Sequence, residues 1–195
     1  MTPFDIRTFD PPLSVPELSS GPVVLRPYAP TDLSLIRQGS ADPYIPTFTS
    51  IPAIYSDAEG TAFIERQHER ASGGHGFSFV IAEHGHAGVG LGSIGLWLRE
   101  IESGRASIGY WLSSEARGRR LAGWALRAVV AYAFTGLSIP RLHLFVEPWN
   151  VASARTAEFA GFSREAFLRG WERIDDEQRD VDCYVLLHQE WSAGE

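Results

Sequence analysis

The sequence predicts a single α+β domain of three layers, in which a mixed, mostly antiparallel sheet of seven strands carries helices on both faces. Three observations predict this class. The 195 residues, 44% hydrophobic and 21% charged, are enough for one core of ordinary size and few for two. Short β-type runs alternate with 3.6-residue apolar periods in the order β-α-α-β-β-β-α-β-α-β-β. Short turns join several neighbouring runs, which favours antiparallel pairing.

A proline-rich arm is predicted over residues 1–22, ahead of the single domain over residues 23–195. Five prolines and the lack of a sustained apolar period predict extended chain in the arm. Within the domain, runs rich in β-branched and aromatic residues predict strands, and polar turns at 84–88, 102–104 and 175–177 join them as hairpins. The predicted strands are Val23–Arg26, Phe77–Glu83, Val89–Arg99, Arg105–Leu112, Arg141–Glu147, Phe162–Ile174 and Arg179–Leu187.

Four helices are predicted from capping residues and apolar spacing. The spacing of Ser56 and Glu59 has the form of a capping box, and Asn150 is a favourable N-cap residue. Leu121, Ala125 and the apolar residues after them follow a 3.6-residue period and predict the longest helix. The predicted helices cover residues 30–39, 56–73, 118–135 and 150–159.

Composition excludes several classes of function. The formal net charge of -7 lacks the positive footprint of a nucleic-acid or membrane binder, so neither partner is expected. All 17 basic residues are arginines, and the absence of lysine excludes Schiff-base and P-loop chemistry. A single cysteine, no apolar span and no basic leader predict a cytoplasmic protein. The histidines lack partners at ligand spacing, so no metal is expected.

The most informative stretch runs from Gly109 to Gly123, where a strand passes through a short loop rich in arginine and glycine into the longest helix. Uncapped N–H groups and the positive end of the helix dipole favour an anion there, such as a pyrophosphate. Arg117, Arg119 and Arg120 can add charge-assisted hydrogen bonds. Three arginines within four residues are less natural as a merely solvated helix start, so we interpret the loop as an anion-binding site.

A second glycine pattern, at residues 90–95, matches the dinucleotide-binding pattern G-x-G-x-x-G. A strand-like run follows it, whereas the dinucleotide motif requires a helix. We therefore interpret these glycines as marks of a bulge or of close backbone packing.

These segments together resemble the GNAT acyltransferase superfamily, and within it the RimJ/RimL-like branch. The similarity runs from about Val23 to Trp191, with several spaced motifs in the family's order. The resemblance implies a sheet that is splayed between the fourth and fifth strands, and an N-acyltransferase that uses acetyl-CoA as co-substrate. The motifs are Leu25-Arg26-Pro27, Ile108–Leu112, the phosphate loop, Glu147-Pro148 with Asn150 and Ser153, Gly161-Phe162, and Arg179-Asp180.

The resemblance also implies roles for individual residues. The donor's pyrophosphate is expected on the loop amides, and its pantetheine between the strands that end near Leu112 and begin near Arg141. A backbone N–H of the strand around Tyr110 is expected to bind the thioester carbonyl, and Ser153 to protonate the leaving thiolate. The implied cofactor-binding residues are Trp111, Leu112, Arg117, Gly118, Arg119, Arg120, Leu121, Ala122, Gly123, Asn150 and Ser153.

Three positions depart from the family's pattern. Arg120 stands where the phosphate loop usually has a glycine, which puts the close approach of the backbone to the donor in doubt. Ser107 stands where many relatives have a carboxylate, and Ala157 where many acetyltransferases have a tyrosine acid. Both usual proton handlers are therefore absent.

The general base must then come from Glu147, His143, Glu83 or a water relay. The sequence does not choose among them, and Glu147 is carried as a candidate catalytic residue beside Ser153 and Tyr110. A weak base is sufficient for an α-amine, whose deprotonation at pH 7 costs about 1 kcal/mol, against about 4 to 5 kcal/mol for a lysine-like amine. The expected acceptor is a peptide N-terminus or a low-pKa amine on a small molecule, with residues 44–48 as a specificity loop.

Two other functions stay open. A non-catalytic acyl-CoA-binding module would keep the phosphate loop without the proton handlers. An acyltransferase for a longer donor, such as succinyl-CoA, would need a further arginine for the distal carboxylate, with Arg99, Arg105 and Arg155 as candidates. The expected assembly is a monomer or a homodimer.

Overall fold

The computed structural model describes residues 4–174 and 176–192, so the first three residues of the arm and Asp175 of the acidic turn lie outside the described residues. The described residues form one sheet of eight strands. The strands are β1 Leu18–Ser20, β2 Val23–Arg26, β3 Gly76–Glu83, β4 Gly92–Trp97, β5 Arg105–Leu112, β6 Arg141–Val146, β7 Ser163–Ile174 and β8 Glu177–Leu187. Their order is β1-β2-β3-β4-β5-β6-β8-β7, and all neighbours are antiparallel except β5 and β6.

The predicted fold class is confirmed, and the number of strands is eight rather than seven. The added strand, β1, lies within the proline-rich arm and pairs with β2 around a turn at Gly21. Gly21 has a φ of 52°, and a Cβ there would lie 2.6 Å from the Trp124 ring, so the turn requires glycine. A three-residue edge strand is too short to show an apolar alternation, which is why the sequence pattern missed it.

Helices cover both faces of the sheet. They are α1 Leu33–Ala41, α2 Ile45–Phe48, α3 Asp57–Ser72, α4 Leu121–Ala131 and α5 Val151–Phe159. The larger core cluster lies under α4 and α5, and a smaller cluster that includes Ile36, Phe63 and Val80 lies under α1 and α3. Both predicted N-caps are confirmed, because Ser56 Oγ accepts the Glu59 N–H and Asn150 Oδ1 accepts the Ser153 N–H, each at 3.1 Å. No helix in the described ranges is long and apolar enough to span a bilayer.

Helix α4 begins at Leu121, three residues later than predicted. Gly118 and Arg120 have φ values of 77° and 60°, which a right-handed helix does not allow. The helix continues past Ala131 into a π-helical turn over Tyr132–Gly136, close to the predicted end. The residues before Leu121 therefore form a separate loop between β5 and α4.

The strands β5 and β6 pair only over their first three residues, Arg105–Ser107 with Arg141–His143. Beyond these residues β5 stays with β4 and β6 stays with β8, so a gap opens between them. This confirms the expected splay. Because the two strands are parallel, their carboxyl ends lie on the same side of the sheet, and α4 and α5 both begin at the open end of the gap.

The glycines of the G-x-G-x-x-G pattern serve close packing. A Cβ on Gly92 would lie 2.3 Å from the Trp111 carbonyl oxygen, and one on Gly95 would lie 2.1 Å from the Trp97 ring. The pairing of β4 with β3 and β5 runs without a register shift, so the alternative of a bulge in this strand is wrong.

Candidate active site

The loop before α4 presents six consecutive backbone N–H groups, those of residues 118–123. Among the described residues none of the six has a backbone acceptor, and no side chain caps the helix. Every helix leaves its first four N–H groups unpaired, here those of 120–123, and the loop adds two more. Left-handed backbone at Gly118 and Arg120 is typical of anion-binding nests. This loop can therefore bind an anionic group through its backbone.

Two arginines in and next to this loop form ion pairs with carboxylates. Arg117 donates through Nη2 to Asp42 at 2.5 Å and through Nε to the Leu112 carbonyl oxygen at 3.2 Å. Arg119 donates to both carboxylate oxygens of Glu83, at 2.6 and 2.7 Å. The side chains of Arg117 and Arg119 are about half exposed, at 51% and 45%, so a phosphate can reach their guanidinium groups and compete with the carboxylates.

Arg120→Gly should give a protein more stable than Arg120→Ala by about 1 kcal/mol. Both variants lose the guanidinium, but only glycine adopts a φ of 60° without strain from a Cβ. Urea unfolding of the two variants measures the difference. Equal free energies of unfolding would mean that the folded loop does not hold residue 120 in the left-handed region.

The strand β5 turns two backbone N–H groups toward the gap. The Ser113 N–H donates to the Leu91 carbonyl oxygen at 2.9 Å, on the β4 side. Antiparallel pairing alternates residues that bond the neighbouring strand with residues that face away from it. The N–H groups of Tyr110 and Leu112 therefore face the gap, whereas that of Trp111 faces β4. The backbone N–H of Tyr110 or that of Leu112 can stabilise an oxyanion in the gap.

A pocket of ≈ 240 Å³ lies at the end of β6. Glu147, only 8% exposed, lines this pocket and accepts a hydrogen bond from the Tyr44 hydroxyl, which is brought in by α2. Burial and the hydrogen bond to Glu147 raise the pKa of Tyr44. The phenol is therefore neutral, and its hydroxyl donates a hydrogen bond to Glu147. The Trp149 ring packs edge-on against Tyr44 at 5.1 Å between centroids. The pocket combines a carboxylate with aromatic walls, which suits an amine.

The other candidate bases lie elsewhere. His143 is buried at the closed end of the gap, paired with Ser107, and burial lowers its pKa. Glu83 is held by Arg119 beside the anion-binding loop. Glu147 is thus the one candidate among these three that lines the pocket.

The structure places the residues predicted for the cofactor in different surroundings. Asn150 and Ser153 lie at the start of α5, where the Ser153 carbonyl oxygen accepts the Tyr110 hydroxyl at 3.2 Å. The side chains of Trp111 and Leu121 are buried in the core, so these residues can contribute only their backbones. A Cβ on Gly123 would lie 2.6 Å from Phe159, so this glycine permits the contact of α4 with α5.

Two residues of the pocket were not singled out from the sequence. Tyr44 was included only as part of a possible specificity loop, and Arg179 only as part of a strand motif. The pocket brings both together with Glu147 from three distant segments. In the described ranges, no group of three or more His, Cys, Asp or Glu residues could hold a metal ion.

Comparisons with known proteins identify the family. Residues 23–163 match the family model of the GNAT acetyltransferase domain. The uncharacterized N-acetyltransferase p20 of Bacillus licheniformis is 26% identical over 173 residues, which are 88% of this chain and 96% of that protein.

Two solved structures share the fold. RimJ of Mycobacterium smegmatis, in complex with CoA-disulfide, has a TM-score of 0.79 at 23% identity, covering 94% of this chain and 91% of its own. RimL, a ribosomal-protein alpha-N-acetyltransferase in complex with coenzyme A, has a TM-score of 0.74 at 19% identity, covering 87% and 96%. Since the family model spans most of the sequence, the chain belongs to the GNAT acetyltransferase family and is an acyl-CoA-dependent N-acetyltransferase.

Proposed function

We propose that this protein transfers an acetyl group from acetyl-CoA to a primary amine, by direct attack of the amine in a ternary complex. One observation carries the proposal. The gap between β5 and β6 has unpaired backbone N–H groups at the start of α4 and a buried carboxylate, Glu147, at the end of β6. A donor anchored at the N–H groups and threaded through the gap would meet an amine at Glu147 without a covalent enzyme intermediate.

Each step of the proposed reaction uses a group of this chain. Glu147 accepts a proton from the ammonium, and the amine nitrogen attacks the thioester carbon, so that an N–C bond forms and the C–S bond breaks. The N–H of Tyr110 or Leu112 donates to the thioester oxygen while negative charge develops there. The new amide releases its second amine proton to solvent, and Glu147 then releases the first to solvent. The thiolate takes a proton from the Ser153 hydroxyl, and solvent returns a proton to Ser153.

The relatives support this donor and this kind of acceptor. RimJ and RimL are described in complex with forms of coenzyme A, and RimL is described as an alpha-N-protein acetyltransferase. An α-amine, on a peptide or on a small molecule, also requires the weakest base. Of the three arginines considered for a longer donor, Arg105 pairs with Glu100 at 2.9 Å at the closed end of β5.

Calorimetry with coenzyme A and acetyl-CoA, followed in the same samples by thiol release with a panel of peptides and small amines, tests the proposal. Binding together with thiol release would support an acetyltransferase. Binding without release from any amine would instead favour a non-catalytic acyl-CoA-binding module. Faster release from succinyl-CoA than from acetyl-CoA would favour the longer donor.

Ser153→Ala should lower kcat by about 10- to 100-fold and leave the dissociation constant of coenzyme A nearly unchanged. The effect is moderate because a thiol, with a pKa of about 8.5, is a good leaving group even without a proton donor. Steady-state kinetics and calorimetry separate the two quantities. An unchanged kcat would exclude Ser153 as the acid.

Arg117→Gln and Arg119→Gln should each weaken coenzyme A binding by about 3- to 10-fold, with a smaller effect on kcat. Their guanidinium groups flank the loop N–H groups and are half exposed. Pantetheine, which lacks the pyrophosphate, is the control ligand, and its affinity should not change. Equal losses for pantetheine and coenzyme A would show that the substitutions disturb the gap rather than a phosphate contact.

A further inference from the structure

Arg179 brings a positive charge into the pocket that contains Glu147. It lies near the start of β8, and Arg179, Tyr44 and Glu147 line the same pocket. Its Nη2 donates to the exposed carboxylate of Glu177 at 2.8 Å. Its Nε, in contrast, is buried and has no hydrogen-bond partner in the part of the chain that the structure describes. A buried donor without an acceptor is unfavourable, so a ligand that supplied an acceptor would stabilise this side chain.

Arg179 does not serve as the counter-ion of Glu147. The hydrogen-bond partner of Glu147 is the Tyr44 hydroxyl, and the ion-pair partner of Arg179 is Glu177. The pocket therefore presents two opposite charges at separate places. A carboxylate suits an ammonium group, and a guanidinium edge with a free Nε–H suits an anion.

The geometry points to an acceptor that carries a carboxylate close to its amine, that is, a free amino acid or a compound of that class. This inference rests on the proposed function, because it gives Glu147 the amine of the acceptor. The ion pair with the exposed Glu177 is weak, and an acceptor carboxylate that displaces it can meet the Nε and Nη2 groups of Arg179 in a bidentate pair. Arg179 is then the specificity-determining residue that binds the acceptor's carboxylate, while Glu147 takes its amine proton.

The size and walls of the pocket agree with a small acceptor. The pocket of ≈ 240 Å³ has room for a small acceptor such as one amino acid. Pro43, Ile174 and the Trp149 ring supply apolar walls for a side chain. A peptide N-terminus would place a neutral amide where a free amino acid has its carboxylate, so charge at this position distinguishes the two classes.

Thiol release from acetyl-CoA with the twenty L-amino acids, and with the matching amino-acid amides, tests the inference. For the amino acids that react, kcat/KM should exceed that of the amide by about 10- to 100-fold, because the charge-assisted bidentate pair is lost in the amide. The amide's amine is the less basic of the two, so chemistry without recognition would favour the amide. The expected preference therefore cannot arise from amine pKa.

Substitutions at Arg179 test whether this residue causes the preference for amino acids over their amides. Arg179→Gln should reduce the ratio of kcat/KM for the amino acid to kcat/KM for its amide to one or less, and Arg179→Lys should restore part of the preference through charge without the bidentate geometry. Arg173→Gln, in the same hairpin but paired only with the exposed Asp176, is the matched control and should keep the full preference.

Equal or faster rates with the amides would overturn the inference and leave the acetyltransferase proposal in place. A preference for acids that survives in Arg179→Gln would also overturn it, because another group would then read the carboxylate. If acetyl-CoA binds and no amine of either panel releases thiol, the proposed function itself fails, and the inference fails with it.

Discussion

Glu147→Gln should lower kcat by about 100-fold or more while coenzyme A binds as before. Glu147 is buried in the pocket and is the one candidate base there, and a glutamine of the same shape still accepts the Tyr44 hydrogen bond through its carbonyl oxygen. The substitution thus removes the proton acceptor and little else. Steady-state kinetics measures kcat, and calorimetry measures donor binding.

The pH dependence separates proton removal from positioning. The α-amine of a peptide or of an amino-acid amide loses its proton without help above about pH 8, so with such an acceptor the defect of Glu147→Gln should shrink as the pH rises through that value. A positioning role would give a defect of the same size at every pH. Glu172→Gln, an exposed carboxylate on β7, is the matched control and should leave kcat unchanged. A Glu147→Gln variant with normal kcat at pH 7 would contradict the role as base.

Asp32→Ala should destabilise the fold by about 3–5 kcal/mol, the range for removing one partner of a buried ion pair. Asp32 is 1% exposed and accepts two hydrogen bonds from Arg26, at 2.7 and 2.8 Å, and one from the Ala29 N–H at 2.8 Å. Arg26 also donates to the Ala87 carbonyl oxygen at 2.5 Å and so connects β2 with the β3–β4 turn. A guanidinium is not deprotonated in proteins, so the charge of Arg26 left behind in the variant cannot be neutralised.

Urea unfolding measures this loss, and an exposed pair gives the comparison. Glu100→Ala removes the partner of Arg105, an ion pair in which both side chains are about half exposed, and should cost no more than about 1 kcal/mol. Asp32→Asn should fall between the two, because the amide keeps part of the hydrogen bonding and loses the charge. Similar losses for Asp32→Ala and Glu100→Ala would show that burial does not strengthen the Arg26 pair.

The loop before α4 and the cap of α5 could be predicted from the sequence because each is formed by residues that are consecutive in the chain. Residues 118–123 and the Asn150 cap are local features, and local features leave local signals. The start of α4 was predicted three residues too early because the left-handed backbone of Arg120 has no signal in a non-glycine residue. The edge strand β1 was missed because its pairing depends on β2 rather than on its own pattern.

The pocket that contains Glu147 could not be predicted in the same way. Tyr44 and Glu147 form a hydrogen bond across 103 residues of sequence, and Arg179 joins them from a third segment. The sequence supplied three candidate bases, and only the fold separated them by placing Glu147 in the pocket, His143 at the closed end of the gap and Glu83 beside Arg119.

By itself, the sequence determined the fold class, the family resemblance and the arginine- and glycine-rich loop before α4. Apolar periods, caps and glycine-arginine spacing all act over a few residues, so they can be read along the chain. The tertiary structure alone decided which carboxylate lines the pocket, which backbone N–H groups of β5 face the gap and which arginine lies in the same pocket as that carboxylate. These relations depend on strand register and on contacts between distant segments, and the chain acquires them only when it packs.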